Sequence, residues 1–238
     1  MKRPPQTPAS VAVRRILLVD DHPITRQGLT AMIGLEPDLE VCGEAETAAA
    51  ALTAIEAHRP DLVLVDLSLP GRSGLDLIKD LAASHPGLPT LVLSMHEEGL
   101  YAERAIRAGA RGYLMKSAGG KAVMEAVRHV LAGQIYVSPA VSARILESLS
   151  PRHATPSSPP GSPARPAQPS IAGLSDREFE VFQLIGQGLG TREIAGRLNL
   201  SIKTIEAHRA HLKEKLGIKD APGLVREAVR WIENQQRP

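Results

Sequence analysis

One cysteine, Cys42, stands alone in 238 residues, so no disulfide can form within the chain, which fits a reducing cytoplasm. No apolar run approaches the length of a membrane span, and the first residues lack an apolar signal core. No Cys/His cluster has zinc-ligand spacing. Net charge is also nearly absent, at +2, and it is unevenly spread. Residues 1–150 hold 15 Lys and Arg against 17 Asp and Glu, whereas residues 171–238 hold 11 against 9. This acidic-to-basic drift is a weak pointer to nucleic acid for the C-terminal part.

What is present is organised around Pro60-Asp61-Leu62-Val63-Leu64-Val65-Asp66-Leu67-Ser68-Leu69-Pro70-Gly71. Four consecutive apolar residues, two of them β-branched, run into a carboxylate, the pattern of a strand buried on both faces of a parallel sheet. Arg15-Ile-Leu-Leu-Val-Asp20 repeats the pattern and ends in a doubled acid, Asp20-Asp21. Further strands are predicted over 39–45, 90–94 and 112–115. Helices are predicted over 22–35, 47–58, 74–84, 98–108 and 119–131. Five strand–helix units imply an α/β fold, a doubly wound five-stranded parallel sheet with right-handed crossovers.

A short helix is predicted from Pro139 to Leu149. Residues 1–13 read as a disordered tail. Pro151–Ser170 has seven prolines in twenty residues and no large apolar side chain, so it reads as a linker. Such a linker spans roughly 25 Å if flexible and up to about 60 Å if polyproline-like. From Gly173 the pattern is wholly helical. Ser175 with Glu178 three residues on forms a capping box, with Phe179, Phe182 and Ile185 on the buried face. Helices follow over 191–198, 201–216 and 220–234. Two short helices joined by a tight turn, the second longer and polar on one side, describe a helix-turn-helix in an all-α four-helix unit. The expected domains are 14–135, a 136–170 connection, and 171–238.

Ligands of open α/β sheets gather beyond the carboxyl ends of the strands. There the strand reading places Asp20, Asp21, Asp66, Ser94 and Lys116. Crowded carboxylates repel and call for a cation; carboxylates, a carbonyl and waters suit Mg²⁺. A lysine and a hydroxyl beside them supply donors for a phosphoryl group. Each residue also fits a plainer role: a helix cap for Asp20-Asp21, a turn for Ser94, a solvated charge for Lys116.

Val19-Asp20-Asp21-His22-Pro23, the Asp61–Gly74 stretch, Leu93-Ser94-Met-His and Gly109-Ala-Arg-Gly112-Tyr113-Leu114-Met-Lys116 resemble the receiver domain of bacterial two-component response regulators. The resemblance implies Asp66 as phosphoacceptor. It implies Mg²⁺ held by the side chains of Asp21 and Asp66 and the backbone carbonyl of Ser68, with Asp20 acting through water. It gives Lys116 to the phosphoryl oxygens and makes Ser94 and Tyr113 the switch pair, the ring turning inward.

Leu174-Ser-Asp-Arg-Glu178, Glu193-Ile194-Ala195, Lys203-Thr204-Ile205-Glu206-Ala207-His208-Arg209 and Lys215-Leu216-Gly217 resemble the LuxR-type helix-turn-helix of NarL/FixJ-class regulators. That makes 201–216 the recognition helix and gives the last helix to dimerisation. Ile205, His208, Leu212 and Leu216 should pack inward. Lys203, Glu206, Ala207, Ala210 and Lys213 project outward, with Thr191, Arg192, Thr204 and Arg209 as further contacts to double-stranded DNA. Members often carry Lys where this chain has Glu206. A carboxylate there repels phosphate, which turns Glu206 toward a base edge.

Together the resemblances imply a phosphorylation-controlled, cytoplasmic transcription regulator. It is served by a sensor histidine kinase, is homodimeric when phosphorylated or DNA-bound, and has RNA polymerase as a further partner. It is not a turnover enzyme. An aspartyl phosphatase would need a second acid where Ser68 stands. A flavodoxin-like nucleotide binder would need a Gly-rich loop where Asp20-Asp21-His22-Pro23 stands. A phosphorylation-independent regulator with the receiver as dimerisation module also fits the sequence.

Overall fold

Leu62–Val65 (β3) is buried along its whole length, as a strand covered by helices on both faces must be. It lies at the centre of a five-stranded, all-parallel sheet completed by Arg14–Val19 (β1), Leu39–Ala45 (β2), Thr90–Ser94 (β4) and Gly112–Met115 (β5). The spatial order is β2-β1-β3-β4-β5, so the order reverses between β1 and β3 and leaves a crevice at their carboxyl ends. The computed structural model describes residues 12–95, 98–149 and 171–235. Residues 1–11 of the expected tail and the Pro-rich stretch 151–170 lie outside them.

Alternation along the strands divides the core. Leu17, Val19, Val63, Val65 and Val92 face Ala48–His58 (α2), Gly74–Ser84 (α3) and Glu98–Ala108 (α4). Ile16, Leu18, Leu62, Leu64, Leu91 and Leu93 face Pro23–Ile33 (α1) and Gly120–Leu131 (α5). Each fully buried side chain of this kind contributes roughly 1.5–3 kcal/mol. Local chemistry sets the helix starts. Pro23 occupies the first turn of α1, while Thr47 and Ser73 accept backbone hydrogen bonds as N-caps of α2 and α3. The predicted 119–131 helix is α5 preceded by a 3₁₀ turn over Lys116–Ala118. In α4 the backbone departs from helical geometry at Gly99 (φ −4°, ψ −118°). Beyond α5, Tyr136 bridges to Gly112 at the free edge of β5, and Pro139–Leu149 (α6) packs on α4 with Val141 buried.

The C-terminal helices are Asp176–Gly186 (α7), Thr191–Arg197 (α8), Ile202–Lys215 (α9) and Ala221–Gln235 (α10). The predicted capping box is formed: Ser175 Oγ accepts from Glu178 N, and Glu178 Oε2 accepts from Ser175 N at 2.8 Å. Phe179 and Phe182 meet Trp231 of α10 edge-on, with centroids 5.3 and 6.1 Å apart. The turn between α8 and α9 places Asn199 at φ 51°, and Gly217 follows α9 at φ 65°.

The two halves touch through α7. Phe179 packs edge-on against Tyr101 of α4, with ring centroids 5.0 Å apart, and the Arg104 guanidinium lies 4.5 Å from the Phe179 centroid. Arg104 also donates to the carbonyl oxygens of Leu174 and Ile171 and to Asp176, at 3.0, 3.1 and 2.8 Å. Lys79 of α3 pairs with the same Asp176, and Tyr101 Oη donates to Gln183 Oε1.

Candidate functional site

The strands deliver their terminal residues to one end of the sheet. Asp20 follows β1 directly and Asp66 follows β3 directly; both are buried, at 3% and 2% exposure. Asp66 N donates to Val19 O at 2.8 Å, which ties the two strand ends together. Lys116, just past β5, bridges the carboxylates: its Nζ lies 2.6 Å from Asp20 Oδ2 and 2.7 Å from Asp66 Oδ2. Ser68 N donates to Asp66 Oδ1 at 3.3 Å, so the loop after β3 folds back over its own carboxylate. That fold-back requires Gly74 at the start of α3. A Cβ there would meet Asp66 O at 2.2 Å and Leu67 Cα at 2.8 Å.

The electrostatics follow from this crowding. Burial pushes the Asp66 carboxyl above its ordinary range; Lys116 offsets only part of that, and Asp20 adds to it. Burial alone would lower the Lys116 ammonium, but Asp66 and Asp20 outweigh it and hold the lysine above its usual value. Ser94 at the end of β4 is fully buried and hydrogen-bonds Tyr113. The Tyr113 ring, at 1% exposure, is already turned inward, and burial drives its phenol far above the ordinary range despite that hydrogen bond.

Asp21 and His22 complete the cluster. Ligand atoms of Asp20, Asp21, His22 and Asp66 all lie within 4.8 Å of one another. Asp21 Oδ1 is buried without a hydrogen-bond partner, 2.7 Å from His22 Nδ1 but out of line with it. A buried carboxylate oxygen left unsatisfied beside two more carboxylates is a donor set that fits a hard divalent cation. Sequence reading gave no role to His22, whose backbone N donates to Asp20 Oδ1 at 2.8 Å. It also missed Arg26. This α1 residue, 8% exposed, donates to the Asp20 carbonyl oxygen at 2.6 Å and is itself held by Glu44 and Glu46 at 2.9 and 2.5 Å. No local pattern marks an arginine that acts six residues back on a carbonyl.

In the C-terminal half, Ile205 and Leu212 of α9 are buried, whereas His208 and Leu216 are half-buried. Lys203, Glu206, Ala207 and Ala210 are exposed on the opposite face, with Thr204, Arg209 and Lys213 partly exposed beside them. Arg192 is exposed and Thr191 half-buried at the start of α8. The outward face of α9 is therefore open. Glu178 doubles as an internal anchor: it is buried, and its Oε2 accepts from Lys215 Nζ at 2.7 Å.

Known proteins share this arrangement. Residues 16–128 match the response regulator receiver domain, and residues 172–228 match the luxR family of bacterial regulatory proteins. The oxygen regulatory protein NreC of Staphylococcus carnosus is 33% identical over 91% of this chain and 97% of its own. NreC of Staphylococcus aureus is 34% identical over the same shares. Among solved structures, the RcsB response regulator of Salmonella typhimurium covers 92% of this chain and 98% of its own at 25% identity, TM-score 0.62. A LuxR-family two-component response regulator from Aurantimonas covers 58% of this chain and 98% of its own at 34% identity, TM-score 0.54. A receiver sheet with its acids at the switch point, followed by a LuxR-type helix-turn-helix, makes this chain a member of the two-component response regulators, a phosphorylation-controlled DNA-binding transcription regulator rather than a turnover enzyme.

Proposed function

We propose that Asp66 is the phosphoacceptor and that its phosphorylation by a sensor histidine kinase controls how α9 reads promoter DNA. The observation that carries this reading is the buried Asp66 carboxylate bonded to Lys116 and flanked by Asp20 and Asp21 at the sheet's switch point. Attack by a carboxylate oxygen on phosphorus gives an acyl phosphate. Asp21 and Asp66, the Ser68 carbonyl and, through water, Asp20 would hold Mg²⁺. When bound, the ion neutralises charge on the phosphoryl oxygens. Lys116, already within bonding distance of Asp66, supplies a second positive charge to them. Ser94 reports the phosphoryl group to Tyr113, with which it shares a hydrogen bond.

On the output side, Ala207 and Ala210 let α9 approach base edges closely, with Glu206 toward a base. Thr191, Arg192, Lys203, Thr204, Arg209 and Lys213 flank them as further polar contacts to the duplex. A homodimer presents two such helices; the exposed apolar Val225 of α10 supports that helix as the pairing element on DNA. We place the receiver at 14–135 and the DNA reader at 171–238, joined by 136–170. The lone cysteine supports a cytoplasmic location. Among the described residues no helix is long and apolar enough to cross a membrane.

The test is a phosphate-affinity gel with acetyl phosphate and Mg²⁺. Wild type shifts and Asp66→Asn does not; a shift that survives the substitution moves the acceptor elsewhere.

A further inference from the structure

The receiver and the DNA-reading half of the chain share the lining of a cavity next to the acidic cluster. The cavity, of about 120 Å³, is lined by residues that neighbour Asp66 and not by Asp66 itself. Asp21, His22 and Ser68 line it on the receiver side, and Gln183, Arg197 and Leu198 of α7, α8 and the turn after α8 line it on the other. Asp66 itself is 2% exposed. Of the cavity's receiver-side residues, His22 has 60% of its side chain exposed and Asp21 33%. The two sides are fastened together at several points. Arg104 holds Leu174, Ile171, Asp176 and the Phe179 ring at once. Lys79 shares Asp176, Tyr101 donates to Gln183, and Arg177 donates to Gly71 O in the loop after β3, at 3.3 Å. The outward face of α9 is not part of this contact: Lys203, Glu206, Ala207 and Ala210 remain exposed. The closed arrangement thus sets α7 and α8 against the receiver residues beside Asp66 and leaves the reading face open.

We propose that α7 and α8 select the phosphodonor at Asp66. In the closed arrangement a small acyl phosphate reaches the carboxylate, a protein-borne phosphohistidine does not, and opening at Arg104 admits it. This rests on Asp66 being the acceptor. With acetyl phosphate, an Asp66 oxygen forms the new P–O bond, the old P–O bond breaks and acetate leaves with its electron pair. With phosphohistidine the P–N bond breaks instead; the imidazole keeps that pair and takes a proton. The two donors ask the same of the receiver but differ in bulk, because the imidazole arrives attached to a protein that must come within reacting distance, about 3–3.5 Å, of a recessed carboxylate. A donor that reaches only the open state is slowed by the open fraction, so a 99:1 bias to closure costs it about 100-fold. By linkage, a partner that holds α7 off α4 speeds transfer from a protein donor without touching the receiver.

The test uses the full chain with Cys42→Ser and Asp66→Cys, which puts the only thiol at position 66. Methyl methanethiosulfonate serves as the small reagent and a polyethylene glycol maleimide as the bulky one, each with and without Arg104→Ala. The expected result is small-reagent labelling within about threefold between the two proteins and bulky labelling at least about tenfold faster with Arg104→Ala. Bulky labelling that does not change on opening, or small-reagent labelling that gains as much, overturns the proposal. Asp176→Asn, which leaves the Ser175 cap in place, must reproduce the pattern, so a folding defect of one variant cannot decide the outcome. In chains that keep Asp66, Arg104→Ala should alter the rate of phosphorylation by acetyl phosphate less than about threefold; a tenfold gain also overturns it. Labelling reports access to position 66 whether or not Asp66 accepts phosphate, so failure of the acceptor assignment shows separately, in the phosphate-affinity gel.

Discussion

Replacing Gly74 by alanine sets two effects against each other beside Asp66. Gly74 opens α3, and an alanine in a helix is favoured over glycine by about 1 kcal/mol, so propensity alone predicts a more stable protein. The added methyl would lie 2.2 Å from Asp66 O and 2.8 Å from Leu67 Cα. Non-bonded carbon contacts settle near about 3.5 Å, so the loop after β3 must move by roughly 1 Å. Both obstructing atoms are backbone, with no flexible side chain to give way. Overpacking of this kind costs about 1–3 kcal/mol, which outweighs the propensity gain. The larger effect is on chemistry, because the displaced backbone carries the Asp66 carboxylate and the Ser68 carbonyl. A misplacement of about 1 Å is worth on the order of 10²-fold in rate. Gly74→Ala should therefore melt below wild type by circular dichroism and accept phosphate from acetyl phosphate about 100-fold more slowly in a phosphate-affinity gel time course. A higher melting temperature with a rate within about twofold of wild type would refute the claim that this close approach shapes the site.

Arg26→Met removes the donor to the Asp20 carbonyl while Glu44 and Glu46 remain solvated. Chemical denaturation should show a loss of about 1–2 kcal/mol, and calorimetry a weaker Mg²⁺ affinity; unchanged affinity would leave Arg26 a purely structural residue. Burial, with the Arg177 cation adding to it, holds the His208 imidazole below its ordinary range, so the folded protein resists protonating it. The unfolded chain takes up that proton as pH falls below about 6.5, so stability declines there; His208→Gln should flatten the decline, and an unaltered pH profile would contradict the assignment. Lys203→Ala should weaken DNA binding evenly across sequences and reduce the salt slope by about 1, read by fluorescence anisotropy at several salt concentrations. A sequence-dependent loss would make Lys203 a base contact instead.

Much of this was legible in the chain because the decisive signals are local. The unbroken Leu62–Val65 run reads as a strand covered on both faces, and the same pattern before Asp20 brings the acids that end β1 and β3 to one end of the sheet. Ser175 and Glu178 announced the start of α7 by spacing alone. What stayed hidden depends on surfaces far apart in sequence. Periodicity put Phe179 on a buried face, but not against Tyr101 and Arg104, more than seventy residues earlier. His208, placed inward by the same periodicity, is only half-buried at the margin of the α9 core. Arg26 acts on a backbone carbonyl, which leaves no side-chain pattern to read. The departure of α4 from helical geometry at Gly99 and the tight turn over Lys116–Ala118 are likewise choices of backbone path.

The proposed carrier of the phosphate is the Asp66 carboxylate. Borohydride reduces an aspartyl phosphate to homoserine, so protein treated with acetyl phosphate and Mg²⁺, reduced and mapped by peptide mass spectrometry reports the acceptor directly. Homoserine is expected at position 66 and unmodified aspartate at 20 and 21; homoserine at 20 or 21, or none at 66 in protein whose gel mobility has shifted, would place the phosphate elsewhere.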